Sequence, residues 1–139
     1  MTTAREIMHK GAQCVGEHDN LLTAAGMMRE LDVGALPICG DDNRLHGMIT
    51  DRDIVVKCLA EGLDPGSITA GDMAQGTPFW ISADADVRDV LAMMEEHQVR
   101  RLPVIEDRRL VGMISEADLG RNLTDEQIGH MVRSISVRT

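Results

Sequence analysis

Apolar positions recur along the chain in a pattern that is repeated once. A stripe of apolar residues at helical spacing follows Asn20, and a similar stripe follows Asp86. Asn and Asp are good helix N-caps, so each stripe predicts an amphipathic helix with one buried face. The stripes consist of Leu21, Ala24, Ala25, Met28 and Leu31 in the first half, and of Val87, Val90, Leu91 and Met94 in the second.

Each predicted helix is followed by two short apolar runs with a turn between them. In the first half the runs are residues 35–39 and 45–50, and the turn contains Gly, Asp and Asn. In the second half they are residues 102–105 and 110–115. Short apolar runs bounded by turn-forming residues indicate a strand, a turn and a second strand.

Further elements complete the unit. A short strand is predicted before each helix, at residues 14–15 and 80–81, and another helix after each strand pair, at about 51–60 and 116–123. The order in each half is then strand, helix, strand, strand, helix. This order predicts an α+β fold.

Similar segments show that the two halves are copies. LPI at residues 36–38 returns as LPV at 102–104, and GMITDRD at 47–53 returns as GMISEAD at 112–118. Two copies are too few for a solenoid, which normally needs three or more units. The chain is therefore predicted to form one compact, pseudo-symmetric pair of repeats.

The repeat divides the 139 residues into four predicted segments. These are a first repeat with an N-terminal lead-in (1–62), a turn-rich linker (63–68), a second repeat (69–123) and a C-terminal amphipathic helix (124–139). Thr124 and Gln127 have the spacing of a capping box at the start of that helix. Its apolar stripe either closes the monomer or packs against another chain.

Composition disfavours several classes of protein. The chain has a formal net charge of -9 and a pI near 4.9, which disfavours binding to a nucleic-acid backbone. With one Trp, one Phe and no Tyr, it lacks the aromatic platforms on which single-stranded bases stack. No apolar run reaches the roughly 18 residues of a membrane span. A cytoplasmic protein with no nucleic-acid or membrane partner is predicted.

Three cysteines and five histidines form no recognised metal or redox motif. Cys14 and Cys39 align with Trp80 and Ile105 of the other repeat, which predicts two apolar core positions with reduced thiols. A disulfide between Cys14 and Cys39 is the alternative, because strand ends that flank one helix can lie within bonding range. The histidines are dispersed, so neither a metal site nor an enzyme is predicted.

These features together resemble a known family. The repeated unit has Leu-Pro on its middle strand and G-x-x-[T/S]-x-x-D at its last strand-to-helix junction, and is similar to a tandem pair of cystathionine-β-synthase (CBS) domains. The segments LPICGDDNRLHGM, TDRDIV and MEEHQVRR are particularly similar to small stand-alone members of the hypoxic response type. The resemblance covers residues 4–123. It implies one module that binds an adenosine-containing ligand in clefts between its repeats and pairs with a second copy as a homodimer.

Each G-x-x-[T/S]-x-x-D motif places a hydroxyl and a carboxylate at the start of a helix. Thr50 and Ser115 lie beside free N-terminal amides, which suit a phosphate or ribose oxygen. Asp53 and Asp118 follow one turn later and can accept the two hydroxyls of a ribose. The alternative is structural, with the hydroxyls as N-caps and the carboxylates complementing the helix dipole.

Basic residues distinguish the two copies. Arg100 and Arg101 precede the Leu-Pro segment of the second repeat, where related domains often carry groups that reach a nucleotide phosphate. The first repeat has Gly and Ala there. Arg52 is a further candidate inside the first junction. Ion pairs with nearby glutamates, or simple exposure, are the alternative explanations for these arginines.

The predicted function is that of a non-catalytic regulatory or sensor protein, and the resemblance implies a role in a stress or hypoxic response. AMP, ADP or ATP is expected to bind, with Asp118 on the ribose and Ser115 and Arg101 on the phosphate. No cofactor is required. One alternative is a structural or interaction module with empty clefts, and another is a thiol or metal sensor that uses Cys14, Cys39 and the histidines.

Overall fold

The chain forms two compact units, each of which mixes helices and strands. The structure is a computed structural model that describes residues 2–76 and 78–136. The first-repeat unit contains Gln13–Pro78, and the second-repeat unit contains the residues up to Ala12 together with those from Phe79 onward. The predicted α+β fold class is confirmed.

The predicted elements are present with shifts at their ends, and the short segments Ala4–Ile7, His9–Lys10 and Ala70–Met73 form two helices and a strand that the sequence did not predict. In chain order they are α1 (Ala4–Ile7), β1 (His9–Lys10), β2 (Val15–Gly16), α2 (Leu21–Leu31), β3 (Ala35–Cys39), β4 (Leu45–Thr50), α3 (Asp51–Asp53), a π-helix (Ile54–Leu59), α4 (Ala70–Met73), β5 (Ile81–Ser82), α5 (Val87–His97), β6 (Arg101–Glu106), β7 (Arg109–Ser115), α6 (Glu116–Gly120) and α7 (Asp125–Ser136). Strands β3 and β4 have the predicted bounds. Strands β2 and β5 begin one residue later than predicted, and α6 ends earlier.

Within the described residues, each unit has one sheet. In the first-repeat unit the order is β2-β3-β4, with β2 parallel to β3 and β3 antiparallel to β4. In the second-repeat unit the order is β1-β7-β6-β5, with the corresponding parallel and antiparallel pairs and with β1 antiparallel to β7. Helices α2 and α5 make the crossovers that parallel neighbours require.

The two long helices, α2 and α5, begin and end alike. Asn20 and Asp86 each accept a hydrogen bond from a backbone amide of the first turn, at 2.9 and 2.8 Å. Each helix ends at a residue in the left-handed region, Asp32 (φ 55°) and Gln98 (φ 54°). Both predicted N-caps are therefore confirmed.

Each unit has its own hydrophobic core. Met28 and Met94, from the predicted helix stripes, are only 7% and 0% exposed. Other buried side chains are Val15, Leu21, Leu36, Ile38 and Ile49 in the first-repeat unit, and Val90, Leu102, Val104, Ile114 and Leu119 in the second. The buried sides of both stripes therefore pack within their own units.

The short helices that precede the repeats are exchanged between them. Helix α1 precedes the first repeat but belongs to the second-repeat unit, where the amide of Ala4 donates to the carbonyl of Ala85 (2.8 Å). Helix α4 precedes the second repeat, yet the amide of Ala70 donates to the carbonyl of Asp19 (2.7 Å) in the first-repeat unit. The compact units thus differ from a division of the chain in sequence order.

The predicted linker, residues 63–68, packs against the start of α2. The amide of Leu21 donates to the carbonyls of Pro65 (3.1 Å) and Ile68 (3.0 Å). The linker is thus part of the first-repeat unit, whose boundaries in the sequence lie after Ala12 and after Pro78.

Helix α7 completes the second-repeat unit. The predicted capping box forms, since the amide of Gln127 donates to Thr124 Oγ1 (3.2 Å) and the amide of Thr124 donates to Gln127 Oε1 (3.0 Å). Met131 is 2% exposed and belongs to the core of this unit. The helix therefore closes its own unit. Residues 137–139 and the Ile135 side chain, which the prediction included, lie outside the described part of the chain.

None of the helices in the described ranges has the length and apolar character needed to cross a membrane.

Candidate functional site

The first junction, where β4 meets α3, forms a reciprocal capping box. The amide of Asp53 donates to Thr50 Oγ1 (3.0 Å), and the amide of Thr50 donates to Asp53 Oδ2 (3.0 Å). The second carboxylate oxygen lies 3.2 Å from Lys57 Nζ. The Asp53 side chain is still 23% exposed. Its carboxylate is therefore structurally engaged but reachable from solvent.

The Asp53 carboxylate is held in its charged form. Burial raises its pKa, but hydrogen bonds from the Thr50 backbone amide and from Lys57 outweigh burial, so that the pKa lies below its ordinary value. An ionised carboxylate accepts hydrogen bonds only, which is what a pair of ribose hydroxyls needs. Arg52, on the neighbouring helical position, is exposed.

The second junction, where β7 meets α6, has the same box but a crowded carboxylate. The amide of Ser115 donates to Asp118 Oδ2 (2.8 Å). Asp118 Oδ1 contacts His9 Nε2 at 2.9 Å and an Arg121 guanidinium nitrogen at 3.4 Å. The Asp118 side chain is only 1% exposed. Both oxygens of Asp118, the residue predicted to bind ribose, contact protein groups, as at Asp53, but here almost none of the side chain remains exposed.

Strand β1 brings His9 to Asp118. His9 lies opposite Met113 of β7, and Lys10 lies opposite Gly112. A Cβ added at Gly112 would lie 2.7 Å from the carbonyl oxygen of His9, so only glycine permits this approach. In the first repeat the equivalent residues, 75–76, form no strand. The two junctions therefore differ because strand β1 pairs with β7 at the second junction, whereas residues 75–76 form no such pair in the equivalent position at the first.

The predicted phosphate groups lie in different surroundings. Arg101 is exposed and lies directly opposite Ser115 in the β6-β7 pair, so the two side chains project from the same face of the sheet. Ala35 occupies that place opposite Thr50 in the first repeat. Arg100 Nε lies 3.8 Å from Glu116 Oε1 and is half exposed.

Cys14 and Cys39 form a disulfide, with their Cα atoms 5.6 Å apart. This corrects the favoured prediction of two reduced thiols and matches its alternative. The prediction treated Trp80, the counterpart of Cys14, as a core residue, but Trp80 is 45% exposed. Position 14 lies at the margin of the sheet just before β2, where its sulfur can reach the end of β3. Cys58 is buried as a free thiol.

Four of the five histidines contact carboxylates, and the ring of His97 stacks on Phe79. Glu17 lies between two of them, with His46 Nδ1 at 2.9 Å and His18 Nε2 at 3.4 Å. Across residues 2–76 and 78–136, however, no three His, Cys, Asp or Glu side chains lie together as a metal ion would require.

Sequence reasoning missed three residues at the junctions: His9, Lys57 and Arg121. Lys57 lies four positions after Asp53 and Arg121 three after Asp118, so helical spacing alone could have indicated both ion pairs. His9 had no such signal, because its contact depends on α1 and β1 joining the other repeat.

Comparison with protein families finds the CBS domain twice, at residues 4–59 and 70–125. Hypoxic response protein 1 of Mycobacterium tuberculosis is 57% identical over 135 residues, which covers 97% of this chain and 94% of that protein. The CBS domain-containing protein YhcV of Bacillus subtilis is 29% identical over 141 residues, covering 98% of this chain and 96% of that protein.

Solved structures share the fold. A crystal structure of Hypoxic Response Protein I with two coordinated zinc ions has a TM-score of 0.82 and 59% identity, covering 88% of this chain and 100% of that one. CBSX2 in complex with AMP has a TM-score of 0.75 at 22% identity, covering 88% of this chain and 96% of that one. The paired junction motifs, the two matched segments and the close relative agree: the chain belongs to the CBS-domain family, of which it carries two copies.

Proposed function

We propose that this protein is a non-catalytic regulatory or sensor protein that binds an adenine nucleotide, AMP, ADP or ATP, at the junction motifs of its CBS repeats. The related fold of CBSX2 holds AMP. The relative of 57% identity is named for the hypoxic response, which supports a role in a stress response.

The observation that carries this proposal is the state of the Asp53 carboxylate. It is ionised, held in place by Thr50 and Lys57, and 23% exposed. Thr50 and Lys57 each occupy one acceptor site of the carboxylate, and an ionised carboxylate has about four, so the exposed part of Asp53 can still accept ribose hydroxyls. The neighbouring Lys57 and Arg52 supply positive charge, which an anion entering a protein of net charge -9 needs.

Asp53→Asn tests the proposal by calorimetry with AMP, ADP, ATP and adenosine. The variant keeps the shape of the side chain but loses the charge that strengthens hydrogen bonds to ribose. We expect affinity to fall about ten- to a hundredfold, equivalent to ~1.5 to 3 kcal/mol. If none of the four ligands gives heat with the wild type at millimolar concentration, the proposal is wrong.

The chain contains a matched control for this variant. Thr69 and Asp72 form the same reciprocal capping box at the start of α4, with hydrogen bonds of 3.0 and 3.1 Å. Asp72→Asn removes an equivalent cap at a place where no ligand is proposed. It should leave nucleotide affinity unchanged, and an equal loss in both variants would show that Asp53 acts only through folding.

An interaction role through a homodimer is a second proposal. Three apolar side chains of the π-helix, Val55, Val56 and Leu59, are 55%, 42% and 53% exposed. Exposed apolar clusters of this kind favour a protein contact. Light scattering should give twice the 15.2 kDa of one chain, and Leu59→Glu should shift the protein to monomers. A wild type that stays monomeric at micromolar concentration would contradict this proposal.

Zinc binding is a third candidate, because the relative of 59% identity contains two coordinated zinc ions. Structural zinc sites use four ligands of the His, Cys or carboxylate type. Glu17 with His18 and His46 is the nearest arrangement in the first-repeat unit, but these side chains do not form a set suited to a metal. Within the part of the chain that the structure describes, the side chains of one chain therefore do not form a zinc site. Zinc retained at one equivalent per chain after dialysis against a weak chelator would overturn this view.

A thiol-sensor role is favoured by one observation, the disulfide between Cys14 and Cys39. Disulfides persist mainly in oxidising compartments, whereas the cytoplasm keeps thiols reduced. If the protein is cytoplasmic, as its sequence predicts, the bond is expected to form only under oxidative stress. Alkylation of thiols in intact cells tests this: three free thiols at rest and one after oxidant treatment support a sensor, and an unchanged count excludes it.

A further inference from the structure

The lead-in segment closes the second junction in a way that has no counterpart at the first. His9 contacts Asp118 Oδ1 at 2.9 Å, and β1 pairs with the strand that ends at Ser115. The same motif leaves 23% of the Asp53 side chain exposed but only 1% of Asp118. The two capping boxes are otherwise alike and use Oδ2 of each aspartate. The difference in exposure therefore follows from the groups that contact Oδ1, which are Lys57 at Asp53 and His9 with Arg121 at Asp118.

We propose that His9 is a built-in occupant of the second ligand site, which competes with a nucleotide ribose for Asp118. This rests on the proposed function. With His9 in place, a nucleotide binds at the first junction alone. When His9 leaves, Asp118 Oδ1 becomes available to a ribose hydroxyl, and Arg101, exposed opposite Ser115, is positioned to meet the phosphate.

The contacts of His9 suit a reversible occupant. Its own side chain is 70% exposed, although the carboxylate that it covers is buried. Strand β1 is only two residues long and lies at the edge of its sheet, so its release disturbs one strand pair. Arg121, also 70% exposed, can turn from Asp118 toward a phosphate. Because the His9 side of this contact is exposed, a ligand that offers Asp118 several hydrogen bonds can displace it.

The test removes the first site and then the occupant of the second. Binding of AMP is measured by calorimetry on the full chain carrying Asp53→Asn, alone and combined with His9→Ala. We expect His9→Ala to strengthen AMP binding up to about fivefold in this background, from the loss of one competing contact with Asp118. Adding Arg101→Ala to the double variant should weaken AMP more than adenosine, which locates the ligand at the second junction.

Two further variants separate occupancy from a general disturbance of β1. Lys10→Ala alters the other residue of the same strand and should leave affinity unchanged. His9→Gln keeps an N–H donor that can reach Asp118, so it should bind like the Asp53→Asn parent. Thermal melting of each variant confirms that the fold is retained.

The outcomes distinguish this inference from the function on which it rests. If AMP binds the wild type, Asp53→Asn weakens binding and the added His9→Ala does not strengthen it, the occupant proposal is wrong and the proposed function stands. If Lys10→Ala strengthens binding as much as His9→Ala, the effect belongs to the strand and the proposal is also wrong. If AMP binds no variant and not the wild type, both fail together.

Discussion

The two repeats share a motif and a fold but use the same aspartate differently. In the first, Asp53 is capped by Thr50, paired with Lys57 and open to solvent. In the second, Asp118 is buried beneath His9 and Arg121. The comparison shows that a duplicated motif does not duplicate a site, because the third partner of each carboxylate comes from outside the motif.

The largest expected difference concerns the disulfide, which only the first repeat has. Cys14 and Cys39 are separated by 25 residues. A disulfide that closes a loop of this length lowers the conformational entropy of the unfolded chain, which stabilises the folded state by ~3.5 kcal/mol. Cys39→Ala should therefore lower the free energy of unfolding by about that amount without reductant, and hydrogen exchange should rise mainly across residues 13–78.

Reductant provides the control for this prediction. It should destabilise the wild type to nearly the level of Cys39→Ala and leave the variant unaffected. If reductant changes the stability of neither protein, the bond does not form in solution and the original expectation of reduced thiols is correct.

The next largest effect compares the two aspartates. Asp118→Asn places an amide N–H2 or a neutral oxygen against donors in a buried site, which should cost about 3 kcal/mol. Asp53→Asn weakens an accessible capping box and should cost only about 1 kcal/mol. Urea unfolding followed by circular dichroism measures both. Equal losses would contradict the view that burial makes Asp118 more important for stability than Asp53.

Local signals predicted most of the fold. The caps at Asn20 and Asp86 and the turn residues between strands each act over a few positions, and the helices and hairpins form where those signals lie. Local signals could not predict that α1 packs in the second-repeat unit and α4 in the first-repeat unit, because no residue pattern in either segment indicates the unit to which it belongs. The contact of His9 gives no local signal for the same reason. The alignment of Cys14 with Trp80 indicates a core position, whereas Trp80 is exposed, so it does not predict the disulfide.

Gly47 in β4 and Gly112 in β7 test how closely other segments approach the strand that leads to each junction. A Cβ at Gly112 would lie 2.5 Å from Met8 Sδ and 2.7 Å from the His9 carbonyl oxygen, whereas one at Gly47 would lie 2.8 Å from the Ala74 Cβ. Gly112→Ala should cost about 2 kcal/mol, since backbone must move, and Gly47→Ala about 1 kcal/mol.

The control for both glycine variants is Gly120→Ala in α6, where an added Cβ meets nothing within 4 Å. It should be neutral or slightly stabilising, because alanine is favoured in helices. Thermal unfolding of the three variants gives the order. Should Gly112→Ala prove as stable as the wild type, β1 does not lie on β7 in solution.

The smallest expected effect is the dependence of stability on pH through Asp53. Its folded pKa lies below the ordinary value of 3.8, so it stabilises the fold above that value, and this contribution is lost as the pH falls through the folded pKa. The side chain is partly exposed, which limits the contribution to less than about 1 kcal/mol. The stability difference between the wild type and Asp53→Asn should therefore shrink below about pH 4.

Added salt should reduce this difference, because Lys57 supplies part of it. At Asp72 the pKa is lowered by the Thr69 amide and hydroxyl, so the corresponding difference for Asp72→Asn should be less sensitive to salt. Equal salt sensitivity in the two variants would mean that Lys57 does not hold Asp53, and that the Thr50 capping box alone fixes this carboxylate.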